Sequence, residues 1–306
     1  MKVLFDIYES DMQKNSFVYR VRRYIIRRLI NYFDLFKCIY YYYLKPKTLV
    51  NNPNNVHYII SFTSFPGRIN NTWRVVENMM NQKNVDGLYS LNLYLSKQQF
   101  PNEFVDLPRK LRKQMTRGLN IYFCEDDLKA HKKYYYAFSQ YPYKNIITID
   151  DDLIYKNDII SDLIEANKKY PNIIISQRAR EICVQQPYQL WPLIYKRNCL
   201  LNNVLTTNGG GTLFPPNSYR KEITEKETFK EICYYADDLW ISLLCRLRNT
   251  EIYYIGNNVE CVDLIQSQKQ ALRAINNNSI NSGNDIQIAN LSRWSIKKFN
   301  KDFYID

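Results

Sequence analysis

Histidine, glycine and closely spaced cysteines are scarce in this 306-residue sequence, which contains 2 His, 8 Gly and 7 Cys. His57 and His131 stand far apart, so neither a histidine metal centre nor a Ser-His-Asp triad is expected. The cysteines are scattered, odd in number and never spaced as CxxC, which argues against a disulfide framework or a zinc cage. We therefore expect a reducing, cytosolic environment and chemistry carried out by carboxylates.

Two phosphate-binding fingerprints are also missing. The sequence has no GxGxxG after its first predicted strand and no GxxxxGK[ST], which argues against dinucleotide oxidoreductases and P-loop NTPases. The opening residues, MKVLFDIYESDMQK, place acids where a secretory signal needs an apolar core. We expect no signal peptide and a mature chain that keeps this N-terminus.

Positive charge dominates the composition, with 42 Lys and Arg against 30 Asp and Glu and a formal charge of +12. This excess favours an anionic partner, which could be a nucleotide, a phospholipid surface or a nucleic acid. Hydrophobic residues make up 45% of the chain, enough for a sizeable core. Composition thus predicts a folded protein with one catalytic domain and leaves the partner open.

A basic amphipathic helix is predicted from Phe17 to Tyr43. Its apolar residues recur at helical spacing, while arginines occupy other faces of the helix. Arg27, Asp34 and Lys37 interrupt the most apolar part, so a membrane span of about 20 uncharged residues is not expected. Two interpretations remain open: the helix lies at an anionic membrane interface, or it packs on the body of the protein.

A turn-rich linker, NNPNN at 51–55, separates this helix from alternating strand and helix patterns. The alternation predicts an α/β fold with a mostly parallel sheet. We divide the chain into a basic N-terminal segment at 1–50, a catalytic domain at 51–265 and a polar tail or lid at 266–306. Predicted strands are VHYIISF, SLNLYLS, NIYFC, NIITID, NIIIS, TLF and EIYYIG, and predicted helices cover 71–81, 108–117, 129–140, 159–169 and 229–248.

Three consecutive acids, Asp150, Asp151 and Asp152, stand in a row at the end of the strand IITID. Because side chains alternate along a strand, Asp150 and Asp152 are expected to face one side and to share Mn²⁺ or Mg²⁺, with Asp151 facing away. Such a cation would neutralise a nucleotide diphosphate as a glycosyl bond breaks. The alternative is a solvated turn in which Asp152 caps the following helix.

A second acid pair, Asp237 and Asp238, precedes an apolar helical run. The pair could supply a general base for an acceptor hydroxyl, or one of the acids could only cap the helix. Between the two acid clusters, Gly209, Gly210 and Gly211 account for three of the eight glycines. Glycines let backbone approach a ligand closely, although an ordinary tight turn would also explain them.

In that order, TIDDDLIY, NGGGTLFPP and ADDLW, together with SFTSFPGRI near the domain start, resemble bacterial capsule and lipopolysaccharide-type glycosyltransferases. The resemblance is to family-2-like enzymes, more distantly to exostosin-like transferases, and covers roughly 56–263. It implies the GT-A fold, a Rossmann-like nucleotide-diphospho-sugar transferase architecture. In such enzymes the acids form a DxD motif that binds metal and diphosphate.

The resemblance also implies roles for individual residues. Asp150 and Asp152 take the metal positions, Asp151 contacts the ribose, and Asp238, rather than Asp237, is the narrower choice for the base. If the chemistry is retaining, the acid pair instead orients the substrates. The residues implied to hold nucleotide, diphosphate or sugar are Thr63, Ser64, Arg68, Lys132, Gly209, Gly210 and Gly211.

Weaker candidates are Lys133, Arg178, Arg180, Asn284 and Asp285, for which a solvated surface position is an equal or better explanation. The predicted function is metal-dependent transfer of a sugar, by a hexosyltransferase-type enzyme, from a nucleotide-sugar, with UDP-sugar favoured. The acceptor would be a glycan or lipid-linked oligosaccharide of surface polysaccharide biosynthesis. We expect a cytoplasmic enzyme with peripheral contact at the inner membrane face through 17–43, and no nucleic-acid partner. The alternatives are a non-catalytic basic membrane-surface or nucleic-acid binding protein and a metal-dependent nucleotidyltransferase.

Overall fold

Helices and strands alternate through most of the chain in the computed structural model, which describes residues 1–12, 14, 16–50, 52–184, 186–258, 261–270 and 283–304. The helices are α1 Lys2–Met12, α2 Phe17–Tyr43, α3 Ile69–Met80, α4 Arg109–Met115, α5 Lys132–Gln140, α6 Ile159–Lys169, α7 Lys226–Ile232, α8 Asp237–Arg246 and α9 Gly283–Phe299. The strands are β1 Tyr58–Thr63, β2 Tyr89–Ser96, β3 Leu119–Cys124, β4 Asn145–Thr148, β5 Leu153–Ile154, β6 Ile174–Ser176, β7 Ala179–Glu181, β8 Cys199–Leu201, β9 Val204–Thr206, β10 Thr212–Phe214, β11 Ile252–Tyr254 and β12 Val262–Asp263.

Within the described ranges, eight strands form one sheet in the order β3-β2-β1-β4-β10-β6-β11-β8. Strands β1 to β4 pair in parallel, and so do β6 and β11. Strand β10 runs antiparallel between β4 and β6, and β8 runs antiparallel at the edge. The predicted α/β fold with a mostly parallel sheet is therefore confirmed, as are the strand segments named from the sequence.

Both faces of the sheet are covered, which explains why its strands are nearly continuous apolar runs. On one face, Ile60 and Leu93 pack in the core that includes α3, α4 and α6. On the other face, Ile59 and Tyr94 pack with side chains of α5 and α8. Neighbouring residues of a strand thus enter opposite cores, as the two-residue period of a strand requires.

The order of the central strands creates a crevice. The chain runs outward from β1 to β2 and β3, then returns to place β4 on the other side of β1. Ligands of open α/β sheets bind beside the carboxyl ends of strands at such a reversal. Here Thr63 ends β1, and Asp150 follows β4 after one intervening residue.

One predicted helix is in fact two. The helix predicted over 229–248 is broken between α7 and α8, because Cys233 (φ −147°, ψ 40°) and Ala236 (φ −133°, ψ 71°) have non-helical backbone. The break makes Asp237 and Asp238 the first two residues of α8. Because of this break, the acid pair lies at the start of a helix and borders the crevice.

The predicted amphipathic helix is confirmed as α2, with the bounds expected. It packs on α3 through a buried ion pair in which Arg74 Nη2 lies 2.7 Å from Asp34 Oδ2. Among the described helices, none combines the length and apolar character that crossing a membrane demands. At the other terminus, α9 packs on α7 and α8. Residues 271–282 of the predicted tail or lid lie outside the described residues, as do 305–306. The division into three segments stays a prediction.

Candidate active site

A cleft of about 620 Å³ opens at the carboxyl ends of β1 and β4. Side chains from separate parts of the chain meet there, as expected for strand ends that share one edge of a sheet. Predicted site residues that line the cleft are Thr63, Ser64, Arg68, Lys132, Asp150, Asp151, Asp152, Gly209, Gly210, Asp237 and Asp238. The four sequence motifs therefore converge on one cavity.

The acids that follow β4 lie in a turn, and the alternation expected of a strand is not observed. Arg68 contacts both Asp151 and Asp152, with Nη1 3.0 Å from Oδ1 of Asp151 and Nη2 2.9 Å from Oδ2 of Asp152. Asp150 is directed instead toward Lys133. The expectation that Asp151 faces away from Asp152 was therefore wrong, because turn backbone does not alternate. Asp152 does not cap α6 either, since Asp158 holds that position.

Arg68 and Ser64 hold Asp151 in place. The Ser64 hydroxyl donates a hydrogen bond to Oδ2 of Asp151, while Arg68 Nε donates to the carbonyl of Ser267 at 3.1 Å. Burial raises the pKa of Asp151, and the Arg68 guanidinium and the Ser64 hydroxyl oppose that rise. Thr63 donates to the carbonyl of Tyr94 at 2.7 Å, which links the end of β1 to β2. A planar guanidinium suits this arrangement because it can donate to two carboxylates at once.

Lys133 joins the two predicted acid clusters. Its Nζ lies 2.9 Å from Asp150 Oδ1 and 2.9 Å from Asp237 Oδ2. Burial acts to lower the pKa of this lysine, but Asp150, Asp237 and Asp238 outweigh it and raise the pKa well above its ordinary value. Lys133 therefore carries a positive charge at neutral pH, buried among carboxylates.

Asp238 is an acid whose pKa its surroundings raise strongly. Burial, followed by the neighbouring charge of Asp237, raises its pKa to about 7. Its Oδ1 accepts the backbone N–H of Asn208 at 3.0 Å, which ties α8 to the glycine turn. Ala236 holds the N-cap position of α8, so the capping alternative is not what the structure shows. Carboxylates with raised pKa in a cleft are typical of acid–base sites.

The glycine turn packs against Asp150. A Cβ built on Gly209 would lie 1.7 Å from Asp150 Oδ2, and one on Gly210 would lie 2.8 Å from Cβ of Arg178. Gly211 has φ +104°, a backbone conformation that disfavours other residues. Gly209 must be glycine because its backbone lies so close to Asp150. Gly211 must be glycine because its φ is positive.

A second basic group lines the cleft beside α5. Lys132 Nζ lies 2.6 Å from Asp127 Oδ1, and Lys129 Nζ lies 2.5 Å from Asp127 Oδ2. Burial lowers the pKa of Lys132 against the opposing pull of Asp127. Because two lysines share one carboxylate, this wall of the cleft has a net positive charge.

The weaker candidates named from the sequence lie in or beside the cleft. Arg178 and Arg180 line the cleft, and Arg178 Nη1 donates to the Thr207 hydroxyl at 2.7 Å. Asn284 lines the cleft as well, whereas Asp285 accepts the backbone N–H of Tyr188 at 2.8 Å. The start of α9 therefore reaches the cavity.

His131 is a buried structural residue. Its ring stacks on Phe229 with centroids 4.2 Å apart, and its nitrogens contact the Tyr134 hydroxyl at 2.7 Å and the Cys233 carbonyl at 2.8 Å. Burial lowers its pKa to about 4. The histidine is neutral at physiological pH, and it anchors the break between α7 and α8.

Sequence reasoning assigned no role to Tyr155 or Asp127. The Tyr155 hydroxyl donates to the carbonyl of Gly209 at 2.6 Å and accepts the N–H of Asp150 at 2.8 Å, so it joins the acidic turn to the glycine turn. Asp127 is the carboxylate on which Lys129 and Lys132 meet. The sequence offered one signal for each residue. Tyr155 lies five residues after Asp150, and Asp127 ends an acidic run that precedes Lys129 and Lys132.

No protein-family model matches this sequence, and no curated protein matches it. Among solved structures, the S. aureus TarS fragment 1–349 in complex with UDP aligns with a TM-score of 0.45 at 10% identity, over 67% of this chain and 60% of that one. The mannosyltransferase PcManGT from Pyrobaculum calidifontis, in complex with GDP-Man and Mn²⁺, aligns with a TM-score of 0.43 at 10% identity, over 77% and 66%.

An apo UDP-glucose pyrophosphorylase aligns with a TM-score of 0.36 at 8% identity, over 64% of this chain and 89% of that one. This chain spans 60% of the length of the TarS fragment. At such identities and TM-scores the likeness is loose, and it assigns neither a family nor an activity.

Proposed function

We propose that the protein is a glycosyltransferase that moves a sugar from a nucleotide diphosphate sugar, with UDP-sugar the favoured donor, to a hydroxyl of a glycan or lipid-linked oligosaccharide. The observation that carries the proposal is the meeting of an acidic turn, a basic wall and a second acid pair in one cleft beside β1 and β4. Nucleotides bind at this position in open α/β sheets. Membership in a surface polysaccharide pathway rests on the sequence resemblance.

The walls of the cleft differ in charge in a way that suits such a donor. Lys129, Lys132, Arg178 and Arg180 can bind the oxygens of a diphosphate through charge-assisted hydrogen bonds. Gly209 packs directly on Asp150, so no side chain at position 209 intrudes on the acidic turn. These features support a donor that has an anionic diphosphate and a neutral sugar.

The residues also fit a hard divalent cation, provided that the substrate supplies ligands. No group of three His, Cys, Asp or Glu in the described ranges could hold a metal ion by itself. Asp150 and Asp152 offer carboxylate oxygens, and Mg²⁺ is commonly held by one or two carboxylates together with substrate phosphates. When bound, Mn²⁺ or Mg²⁺ would neutralise charge on the leaving diphosphate.

Proton removal is assigned to Asp238. With a pKa of about 7, its carboxylate is substantially ionised at neutral pH and is basic enough to take a proton from an acceptor hydroxyl. The hydroxyl oxygen then bonds to the anomeric carbon as the bond from that carbon to the diphosphate oxygen breaks, which inverts the configuration. Lys133 holds Asp237 and Asp150 around this base.

The test begins with thermal unfolding of the purified protein in the presence of UDP-, GDP-, CMP- and dTDP-sugars, each with Mn²⁺, Mg²⁺ or EDTA. Ligands that bind the native state raise the unfolding temperature. We expect a metal-dependent rise with one nucleotide family, strongest for UDP-sugars, and loss of that rise in the Asp150→Asn/Asp152→Asn variant. No rise with any pair would overturn the proposal.

Product analysis then separates transfer from its closest rival. A glycosyltransferase slowly hydrolyses its donor to free sugar and nucleoside diphosphate. A nucleotidyltransferase would instead form sugar phosphate or pyrophosphate. Detection of the second set of products would replace the proposed reaction with nucleotidyl transfer at the same cleft.

A further inference from the structure

An exposed apolar stripe follows the whole length of α2. Its members recur at three- and four-residue steps and keep between 37% and 69% of their surface exposed. At about 100° per residue they fall within roughly a quarter of the helix circumference. The stripe consists of Val18, Val21, Ile25, Leu29, Tyr32, Phe36, Ile39 and Tyr43.

The opposite face of α2 is the one that packs on the protein. Ile26 and Ile30 enter the core beneath the sheet, and Asp34 pairs with Arg74 of α3. Cys38 is fully buried and contacts the Arg74 carbonyl at 3.6 Å. Packing of α2 on the body is therefore complete without the stripe, which faces outward along about 40 Å of a 27-residue helix.

The exposed charges of α2 are cationic. The helix contains six basic residues, whereas its one acid, Asp34, is buried. Arg20, Arg22 and Arg28 are exposed, and the guanidinium of Arg28 lies 5.2 Å from the centre of the Tyr24 ring. An apolar stripe bordered by arginines and tyrosines is the pattern of a helix that lies in a bilayer interface.

We propose that the α2 stripe docks the protein on the surface of an anionic lipid bilayer. The apolar side chains would enter the acyl boundary, while Arg28, at one edge of the stripe, would meet the headgroups. Arg22, at the other edge, is ion-paired with Asp11. A second copy of this chain suits the stripe less well, because two α2 faces would oppose arginine to arginine without an exposed carboxylate on either helix. The formal charge of +12 adds attraction to the same kind of surface.

The experiment is co-sedimentation of the full chain with vesicles of phosphatidylcholine alone or mixed with phosphatidylglycerol. We expect binding to the mixed vesicles that weakens at least about tenfold in the Ile25→Asp/Phe36→Asp variant. The control variant is Val105→Asp/Tyr143→Asp, whose positions are 75% and 89% exposed elsewhere, and it should bind like the wild type. Circular dichroism and thermal unfolding verify that each variant is folded.

Charge is tested separately. Replacing Arg28 by Gln should weaken binding to the mixed vesicles about fivefold. Absence of vesicle binding by the wild type, or equal binding by the stripe variant, would overturn the proposal. Sedimentation analysis without lipid provides a further check, because a wild-type dimer that the stripe variant converts to monomer would assign the stripe to a second copy instead.

Discussion

Two groups of carboxylates face the same cleft, but the protein neutralises them to different degrees. In the first, which we call the arginine cluster, Asp151 and Asp152 share the guanidinium of Arg68. Ser64 donates a further hydrogen bond to Asp151. Each carboxylate of this cluster thus has its own N–H group from one planar donor, which suits a rigid structural unit.

The second group, the lysine cluster, contains Asp150, Asp237 and Asp238 around Lys133. The ammonium contacts Asp150 and Asp237, whereas Asp238 lies near enough to raise the lysine pKa further. With three carboxylates to one ammonium, full ionisation leaves two uncompensated charges. Asp238 responds by holding its proton up to a pH of about 7.

This difference in compensating charge indicates where chemistry can occur in the cleft. The arginine cluster has two carboxylates to one guanidinium, which leaves one uncompensated charge at full ionisation, and its fixed contacts suit it to positioning a ligand or a cation. The lysine cluster leaves two uncompensated charges, so it gains more by binding a proton and is suited to proton transfer. Substitutions that act on one cluster and leave the other intact therefore separate catalysis from positioning.

The largest effect is expected for Asp238→Asn. Loss of the general base should lower kcat by about 10²–10⁴-fold. The rise in unfolding temperature caused by the nucleotide-sugar should persist, since the asparagine changes little in size. The matched control is Asp263→Asn, because Asp263 lines the same cleft but pairs with Arg27 at 3.1 Å. A kcat within tenfold of wild type would remove Asp238 from the mechanism.

Lys133→Met should break the lysine cluster. The three carboxylates would then lie together without their ammonium, and the buried Lys133–Asp237 pair would lose its cation. Losing one partner of a buried ion pair costs about 3–5 kcal/mol of unfolding free energy. Urea unfolding near neutral pH measures the loss. Protonation relieves the repulsion, so the loss should grow as pH rises through about 7, where Asp238 releases its proton.

The neighbouring lysine provides the control. In Lys132→Met, Asp127 keeps its contact with Lys129, so a smaller loss with little dependence on pH near 7 is expected. Equal losses in the two variants would mean that Lys133 does not join the acid clusters in the way we describe.

Gly209→Ala should displace Asp150, because the added Cβ would lie 1.7 Å from Oδ2 of that carboxylate. Misplacement of a site group by about 1 Å can lower the rate about 10²-fold, so we expect a loss of this order in kcat/KM. Gly87→Ala is the control, since a Cβ there meets nothing within 4 Å and only the positive φ of +76° opposes it. That control should lose about 1 kcal/mol of stability and no activity.

Much of this arrangement could be predicted from sequence patterns. Apolar runs located the strands, and because β1 and β4 are parallel, the residues after both strands lie at one edge of the sheet. Thr63 and the acids after β4 could therefore be assigned to a common site before their distances were known. The bounds of α2 were also predictable, because its apolar periodicity is long and regular.

Contacts between side chains were beyond such patterns. Lys132 and Lys133 are adjacent in sequence, yet about 100° of helix rotation separates them, and the packing of α5 on the sheet decides which one meets Asp150. The carbonyl of Cys233, where the helix breaks, is hydrogen-bonded to His131, which lies 102 residues away. Long-range pairings of this kind leave no local signal in the sequence.

Asp237→Asn gives the finest test of the comparison, through the pH dependence of kcat. A base must be deprotonated to act, so the wild-type rate should fall as pH drops below about 7. Removing the Asp237 charge removes the second largest cause that raises the pKa of Asp238, which should move the acidic limb down by about one pH unit. Asp151→Asn, in the arginine cluster, should leave the limb where it is. If both variants moved it equally, the two clusters would titrate as one, and the distinction between positioning and proton transfer would fail.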